Sequence, residues 1–175
     1  MLIAEIDPEH LEGGLADVYA YWFKAKGDAK IGPSWSAFDM LELPPKLLPS
    51  ILVLDIAEPV KNSVYRYWGR ELTYIHGVDM TDKCPYSLRP QDLADQLLTD
   101  HTKVVNSKKP LCGHYIFETF DHYKLTHSMI RLPLSNDGMT VTNIVIATDY
   151  SQTSLEMINK FRQDYQEGLR RRAIA

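Results

Sequence analysis

The stretch Ser50-Ile51-Leu52-Val53-Leu54-Asp55-Ile56 is rich in aliphatic residues, and Val64-Tyr65-Arg66-Tyr67-Trp68-Gly69 follows it closely. Between the two lies Glu58-Pro59-Val60-Lys61-Asn62, whose proline and asparagine favour turns. Short runs of β-branched and aromatic residues bounded by turn formers are typical of strands. The pattern therefore predicts two strands, at residues 50–57 and 63–69, joined as a hairpin.

Helical and strand patterns alternate on both sides of this hairpin. Apolar residues recur every three or four positions within 8–26, which predicts an amphipathic helix, and residues 70–76 predict one or two helical turns. The remaining patterns predict a helix at 90–106, strands at 112–121, 124–134 and 140–149, and a C-terminal helix at 153–172. The sequence therefore predicts an α+β fold with a five-stranded antiparallel sheet, short helices over one face and a flanking helix at each end.

Composition indicates one folded domain. The chain has 175 residues, of which 45% are hydrophobic and 24% charged, close to the globular average, so we interpret residues 1–175 as a single domain with its core at about 43–150. A net charge of −4 disfavours nucleic-acid binding through phosphate contacts, and we interpret Arg170-Arg171-Arg172 as a solvated helix end. No apolar run has the length of a signal peptide or a membrane span, which predicts a cytoplasmic protein that does not bind membranes.

Several segments together resemble a bacterial PAS family of small, nearly stand-alone proteins found mainly in alphaproteobacteria. The matching segments are Tyr21-Trp22, Lys26-Gly27, Pro33, Asp39 to Pro49 leading to Asp55, Tyr65-Arg66 with Gly69, Gly77-Val78-Asp79-Met80-Thr81, Lys109-Pro110, and Leu132-Pro133-Leu134-Ser135 with Asp137-Gly138. The resemblance implies a PAS-like sensory domain in which helices laid across the sheet enclose one small cavity. The chain departs from the family at two positions beside the expected pocket: Arg70 stands where Thr or Ser is usual, and Asp82 where Gly is usual.

The pocket that the resemblance implies would be lined by side chains of the second and third strands and of the helices between them. Alternation predicts that Tyr65 and Tyr67 share one face of the second strand and that Arg66 and Trp68 share the other. An arginine among aromatic residues extends to solvent, pairs with an internal carboxylate or binds a ligand carboxylate. The candidate ligand-binding residues are Arg66, Trp68, Tyr74, His76, His101, Tyr115 and Phe117; the face that points inward stays open.

Histidines raise the possibility of haem, because a PAS pocket can hold haem through one axial imidazole. The histidines in the pocket-forming half of the chain are His76, His101, His114, His122 and His127. His101 lies on the apolar stripe of the helix at 90–106, where it is either a ligand or a hydrogen-bonded core residue. No HxH or HxxxH pair indicates a metal site, and Cys84 and Cys112 have neither disulfide nor metal spacing.

Catalytic motifs are missing from the sequence. There is no GxSxG elbow and no glycine-rich phosphate loop, so we do not predict an enzyme. Three functions remain open, and the cofactor is unknown. The first is a sensory or regulatory module that binds a small molecule in its pocket and signals to a separate output protein. The second is an interaction module without a ligand, dimerising through its flanking helices, and the third is a haem sensor that uses a pocket histidine.

Overall fold

The computed structural model describes residues 2–118 and 124–174, with side chains described up to residue 167. Its helices are α1 (Gly13–Lys26), α2 (Arg70–His76), α3 (Gln91–Ser107) and α4 (Gln152–Ile174). Its strands are β1 (Leu2–Ile6), β2 (Ile51–Asp55), β3 (Val64–Trp68), β4 (Leu111–Glu118), β5 (Lys124–Leu134) and β6 (Asn143–Tyr150). The fold is α+β, as predicted. The turn predicted at Asp121-His122-Tyr123 lies outside the described residues, as do the side chains of Arg170-Arg171-Arg172.

The sheet contains six antiparallel strands in the order β1-β4-β5-β6-β2-β3, not the five predicted. The additional strand is β1, which pairs with β4 so that Ile6 lies opposite Cys112. This edge strand is only five residues long and its side chains are largely exposed, so it carries little of the periodic pattern that reveals a half-buried strand. Its place in the sheet depends on backbone hydrogen bonds to β4.

Helix α1 covers the outer face of the sheet. Leu15, Val18 and Trp22 are buried there against strand residues such as Leu132 and Val145. The indole Nε1 of Trp22 donates a hydrogen bond of 3.0 Å to the carbonyl oxygen of Pro133, which satisfies its one polar atom. The apolar stripe that predicts this helix is therefore buried within its own chain.

The inner face of the sheet is covered by α2 and α3. Leu72 of α2 and Ala94 and Val104 of α3 belong to a second core with strand residues such as Leu54 and Ile146. Helix α4 packs on α2 and β5, where Ile158 meets Ile75 and Leu125 in a smaller third cluster. Helix α2 is thus placed between the inner core and the C-terminal helix.

Strand β3 contains a bulge at Arg66, so the alternation predicted for this strand is wrong. Val53 pairs with Tyr67 and Leu54 pairs with Tyr65, which leaves Arg66 without an opposite residue on β2. The extra residue shifts the faces, because a bulge sets two residues against one. Tyr65 and Trp68 therefore share the inner face, with ring centroids 4.9 Å apart.

Two backbone constraints fix the segment after β3. A Cβ atom at Gly69 would lie 2.2 Å from the carbonyl oxygen of Pro49, so the start of α2 requires glycine. Asp82 has φ of +60°, a left-handed conformation in which glycine is unstrained and aspartate is tolerated. This conformation explains why glycine is usual here in the family that the sequence resembles.

Candidate ligand cavity

A small internal cavity lies between the inner face of the sheet and helices α2 and α3. Its volume is about 60 Å³, and strands β2 to β6 contribute to its walls. The apolar and aromatic lining residues are Leu52, Trp68, Leu72, Leu93, Leu97, Tyr115, Ile116, Phe117, Met129 and Tyr150. The other lining residues are His76, Gln96, Asp100, His127, Arg131 and Thr148. The cavity therefore combines an apolar shell with several polar groups, as small-molecule sites do.

A buried ion pair between β5 and α3 forms part of the lining. Arg131 Nη2 lies 3.0 Å from Asp100 Oδ2, and the two side chains are only 1% and 4% exposed. Arg131 Nη1 donates a hydrogen bond of 2.6 Å to the Tyr115 hydroxyl, and Gln96 Nε2 donates one of 3.1 Å to Asp100 Oδ1. These contacts hold the guanidinium and carboxylate in fixed orientations beneath α3.

Four polar atoms of the lining are buried without a hydrogen-bond partner among the described residues. They are Trp68 Nε1, Arg131 Nε, His127 Nδ1 and Asp100 Oδ2, of which the last is in ion-pair contact with Arg131. Buried polar groups in native proteins are normally satisfied by protein, by water or by a ligand. The cavity is the space from which water or a ligand can reach the residues that carry these atoms.

Aromatic rings in mutual contact form the wall beside the ion pair. The His76 ring lies 5.6 Å from Trp68 and 5.1 Å from Phe117, measured between ring centroids. The His127 ring is stacked on Tyr115 at 5.7 Å. Flat rings on several sides favour an occupant that is itself flat or compact.

Burial keeps the histidines of the lining uncharged at neutral pH. Desolvation lowers the pKa of His76 to about 4 and that of His127 to about 3, with the charge of Arg131 adding to the effect at His127. Burial also raises the pKa of the Tyr115 hydroxyl to about 12. The charged groups among the described lining residues are therefore Arg131 and Asp100, which balance each other.

The structure brings four of the seven predicted site residues together at the cavity: Trp68, His76, Tyr115 and Phe117. His101 is completely buried on α3 but does not line the cavity. Neither of its ring nitrogens has a hydrogen-bond partner in the part of the chain that the structure describes, and burial keeps its pKa well below the ordinary value of 6.5.

The other two predicted residues lie elsewhere. Arg66 is at the bulge of β3, where its Nε donates a hydrogen bond of 2.7 Å to Asp55 and its guanidinium lies over the Trp35 ring at 5.3 Å. Of the options that the sequence leaves open for this arginine, the structure shows pairing with a carboxylate of the protein itself, Asp55. Tyr74 faces α4, with its ring 5.4 Å from that of Tyr165.

Four polar residues of the cavity lining carry no sequence prediction: Gln96, Asp100, Arg131 and Thr148. His127 is among the histidines that the sequence places in the pocket-forming half, but not among the seven candidate ligand-binding residues. Arg131 interrupts the apolar run Met129-Ile130-Arg131-Leu132, and this placement is the signal that could have identified it. A charge inside a buried strand is costly unless a partner is provided, so a buried carboxylate had to be expected nearby. Asp100 precedes His101 on the same helix and carried no such signal.

Haem does not fit this cavity. The cavity has a volume of about 60 Å³, far below the ~300–1,000 Å³ of sites for drug-sized ligands. Haem is larger than many drug-sized ligands. His76 and His127 line the cavity, but each is packed between aromatic rings. Within the described part of the chain, no cluster of His, Cys, Asp or Glu has the arrangement of a metal site.

An open depression of about 460 Å³ adjoins the cavity between the first turns of α3 and the end of β4. Leu93, Gln96, Ile116 and Phe117 line both spaces. These shared residues form the wall between the cavity and this depression.

Comparison with known proteins gave structural similarities of low extent. VqmA bound to DPO aligns with 11% sequence identity and a TM-score of 0.47, covering 58% of this chain and 52% of that one. A Vibrio cholerae VqmA dimer in the absence of target DNA aligns with 10% identity and a TM-score of 0.47, covering 59% and 47%. A light-oxygen-voltage domain aligns with 9% identity and a TM-score of 0.44, covering 65% and 86%.

The chain spans about half the length of the VqmA structures that it matches. No protein-family model matches the sequence, and no curated protein matches it either. Among the described residues, no helix combines the length and apolar character needed to cross a membrane.

Proposed function

We propose that this protein is a PAS-type sensory module that binds a small molecule in the cavity beneath α2 and α3 and signals to a separate protein through α4. The observation that carries the proposal is the buried Arg131–Asp100 pair, set in a cavity where Trp68 Nε1 and Arg131 Nε have no hydrogen-bond partner among the described residues. A buried ion pair is commonly no more stabilising than apolar residues of similar volume. Ligand recognition gives such a pair, and the unpartnered donors beside it, a physical purpose.

The arrangement of elements supports the PAS-type interpretation. Two short strands are followed directly by Gly69 and a short helix, and two further helical segments cross the inner face before β4 begins. The remaining strands form an antiparallel meander, since β4 pairs with β5 and β5 with β6. This is the order that the sequence resemblance implies, with β1 added at the edge.

Helix α2 supplies the route from the cavity to α4. Leu72 and His76 line the cavity, while Glu71 accepts a hydrogen bond of 2.7 Å from Arg162 of α4. Ser50, which precedes β2, donates a hydrogen bond of 2.7 Å to the other oxygen of the same carboxylate. A shift of α2 on ligand binding would therefore move the residues that hold α4.

The experiment is to purify the protein from cells, denature it and identify the released small molecules by mass spectrometry. Leu97→Trp places an indole in the cavity and is expected to reduce the yield of any stoichiometric molecule at least tenfold. Leu41→Trp is the matched control, because Leu41 is 83% exposed and far from the cavity lining. Equal yields from both variants would contradict the proposal, as would an empty protein whose melting temperature no metabolite fraction raises.

The alternative is an interaction module without a ligand that forms a homodimer through its flanking helices. The apolar residues Leu15, Val18 and Trp22 of α1 are buried in the monomer, so a dimer would use the exposed part of this helix, where Phe23 is 61% exposed. Sedimentation of wild-type protein and Phe23→Asp distinguishes the two readings. A dimer that Phe23→Asp dissociates, together with a cavity that binds nothing, would favour the interaction module.

A further inference from the structure

We infer that the cavity selects a small uncharged molecule carrying a hydrogen-bond acceptor, such as an amide or ketone group, recognised by Arg131 and Trp68. The inference rests on the proposed function, since it names the chemical class of the ligand at the same site. Three observations support it: the charge balance between Arg131 and Asp100, the partner-free donors of Arg131 and Trp68, and the volume of the cavity.

Charge balance disfavours an anion. Arg131 and Asp100 lie 3.0 Å apart in the buried lining, and each compensates the other. The histidines beside them are neutral because burial lowers the pKa of both His76 and His127. A carboxylate ligand would therefore add a buried charge that no lining group neutralises, and such a charge is strongly unfavourable.

The free hydrogen-bonding capacity of the arginine points to the same conclusion. A carboxylate binds arginine most strongly through two parallel N–H donors. In this cavity Nη1 donates to Tyr115 and Nη2 lies 3.0 Å from Asp100, so Nε is the one nitrogen of Arg131 without a partner among the described residues. A bidentate anion needs a second nitrogen of the guanidinium, and both of the others are engaged, whereas a single carbonyl oxygen needs only Nε.

Trp68 adds a second donor without an acceptor. Its Nε1 is buried and unpartnered, whereas the indole nitrogen of Trp22 is satisfied by Pro133. An indole N–H and a guanidinium N–H can only donate, so the groups they lack are acceptors. A ligand that supplies an acceptor removes the desolvation cost of at least one of them.

The volume limits the size of the ligand. A cavity of about 60 Å³ holds about two water molecules at the ~30 Å³ that each occupies in the liquid, and therefore a polar group of about three non-hydrogen atoms. The rings of Trp68, His76 and Phe117 bound this space and suit a flat group. The carbonyl-bearing group of a small amide or ketone meets these requirements of size, shape and polarity.

The test uses the three tryptophan indole N–H signals in a two-dimensional NMR spectrum of ¹⁵N-labelled protein. Propionamide and propionate have the same shape but differ in charge, and xenon serves as an apolar probe. We expect propionamide to shift the Trp68 signal saturably and at least tenfold more tightly than propionate. The Trp22 signal reports on the outer core and should not move.

Two variants sharpen the comparison. Trp68→Phe removes one donor and is expected to weaken propionamide binding at least tenfold without weakening xenon binding. Because this variant lacks the Trp68 indole signal, binding is followed through the Arg131 Nε–H signal. Trp35→Phe is the matched control, because Trp35 lies near Arg66 and not in the cavity. Asp100→Asn leaves Arg131 uncompensated and is expected to reverse the preference in favour of propionate; a retained Trp22 signal verifies that the variant is folded.

The outcomes separate this inference from the proposed function. Tighter binding of propionate than of propionamide by the wild-type protein would overturn the inference, and so would binding of xenon alone. Either result leaves a ligand-binding cavity in place. If no probe perturbs Trp68 and the purified protein releases no small molecule, the proposed function fails together with the inference. Should Asp100→Asn unfold, the wild-type comparison and Trp68→Phe still decide.

Discussion

Replacing Arg131 with methionine tests whether the buried ion pair is present for binding or for stability. The change leaves the Asp100 carboxylate, which is 4% exposed, without a cation and removes the hydrogen bond to the Tyr115 hydroxyl. Removing one partner of a buried pair costs about 3–5 kcal/mol. We therefore expect Arg131→Met to lower the free energy of unfolding by about 4 kcal/mol, a large part of the stability of a domain of this size.

The double variant Arg131→Met/Asp100→Leu separates the effect of losing the whole ion pair from that of leaving one charge buried without its partner. It removes both charges and restores apolar packing, so we expect it to be within about 1 kcal/mol of the wild type or more stable. Asp100→Leu alone leaves Arg131 uncompensated and should cost about as much as Arg131→Met. The cycle would then give a coupling energy of several kcal/mol between two residues that touch.

Urea denaturation followed by tryptophan fluorescence measures all four proteins. Arg66→Met is the control, because the Arg66–Asp55 pair is exposed, with side chains 46% and 37% accessible, and such pairs contribute about 0–1 kcal/mol. A cost below about 1 kcal/mol for Arg131→Met would refute the reasoning. So would a double variant no more stable than the weaker single variant. A stable double variant that no longer retains ligand would assign the pair to recognition.

Three further predictions concern the surroundings of the cavity. Glu71→Gln weakens the contact with Arg162. It should therefore lower the free energy of unfolding by about 1 kcal/mol and speed amide hydrogen exchange in α4. Unchanged exchange in α4 would contradict the proposed route from the cavity to α4. The folded-state pKa of His76 is about 4, below its ordinary value, so the unfolded chain takes up the proton first as pH falls from 6.5 to 4 and stability is lost over that window. His76→Phe should make the pH dependence of unfolding shallower there by about 1.4 kcal/mol per pH unit, and equal slopes would show that His76 is not the titrating group. Gly69→Ala should lower the free energy of unfolding by about 3 kcal/mol or prevent folding, because the added carbon meets a backbone oxygen. Gly138 is the control: it has φ of +70° and open space around it, so Gly138→Asn should lower the free energy of unfolding by less than about 1 kcal/mol. Thermal denaturation measures both variants.

The sequence predicts the elements that have a strong apolar period. Helix α3 was predicted at 90–106 and lies at Gln91–Ser107, and the predicted turn of helix at 70–76 is α2. Helix α3 carries an apolar stripe, and α2 is bounded by Gly69 and Gly77. Strand β1 has neither, because it is short, exposed and held by its backbone, so its pairing with β4 becomes visible only in three dimensions.

The site was predicted in part for a related reason. Trp68 and Phe117 are large apolar residues on strands, and such residues are expected inside wherever the strand faces the core. Arg66 was misplaced because a single extra residue in β3 reverses the faces of the strand, and no residue type in that stretch announces the bulge. The Arg131–Asp100 pair joins residues that are distant in sequence, and local patterns contain no information about such contacts.

Helix α2 is seven residues long, too short to be stable by itself in water. Its stability must come from its two neighbours, the cavity on one side and α4 on the other, so whatever strengthens one contact alters the free energy of the other. Such coupling is reciprocal: if a ligand changes how firmly α4 is held, then a protein that captures α4 changes the affinity for the ligand by the same factor. The affinity measured for the isolated chain would then differ from that in the complex with such a protein, and the ratio of the two affinities would give the coupling free energy between the two sites.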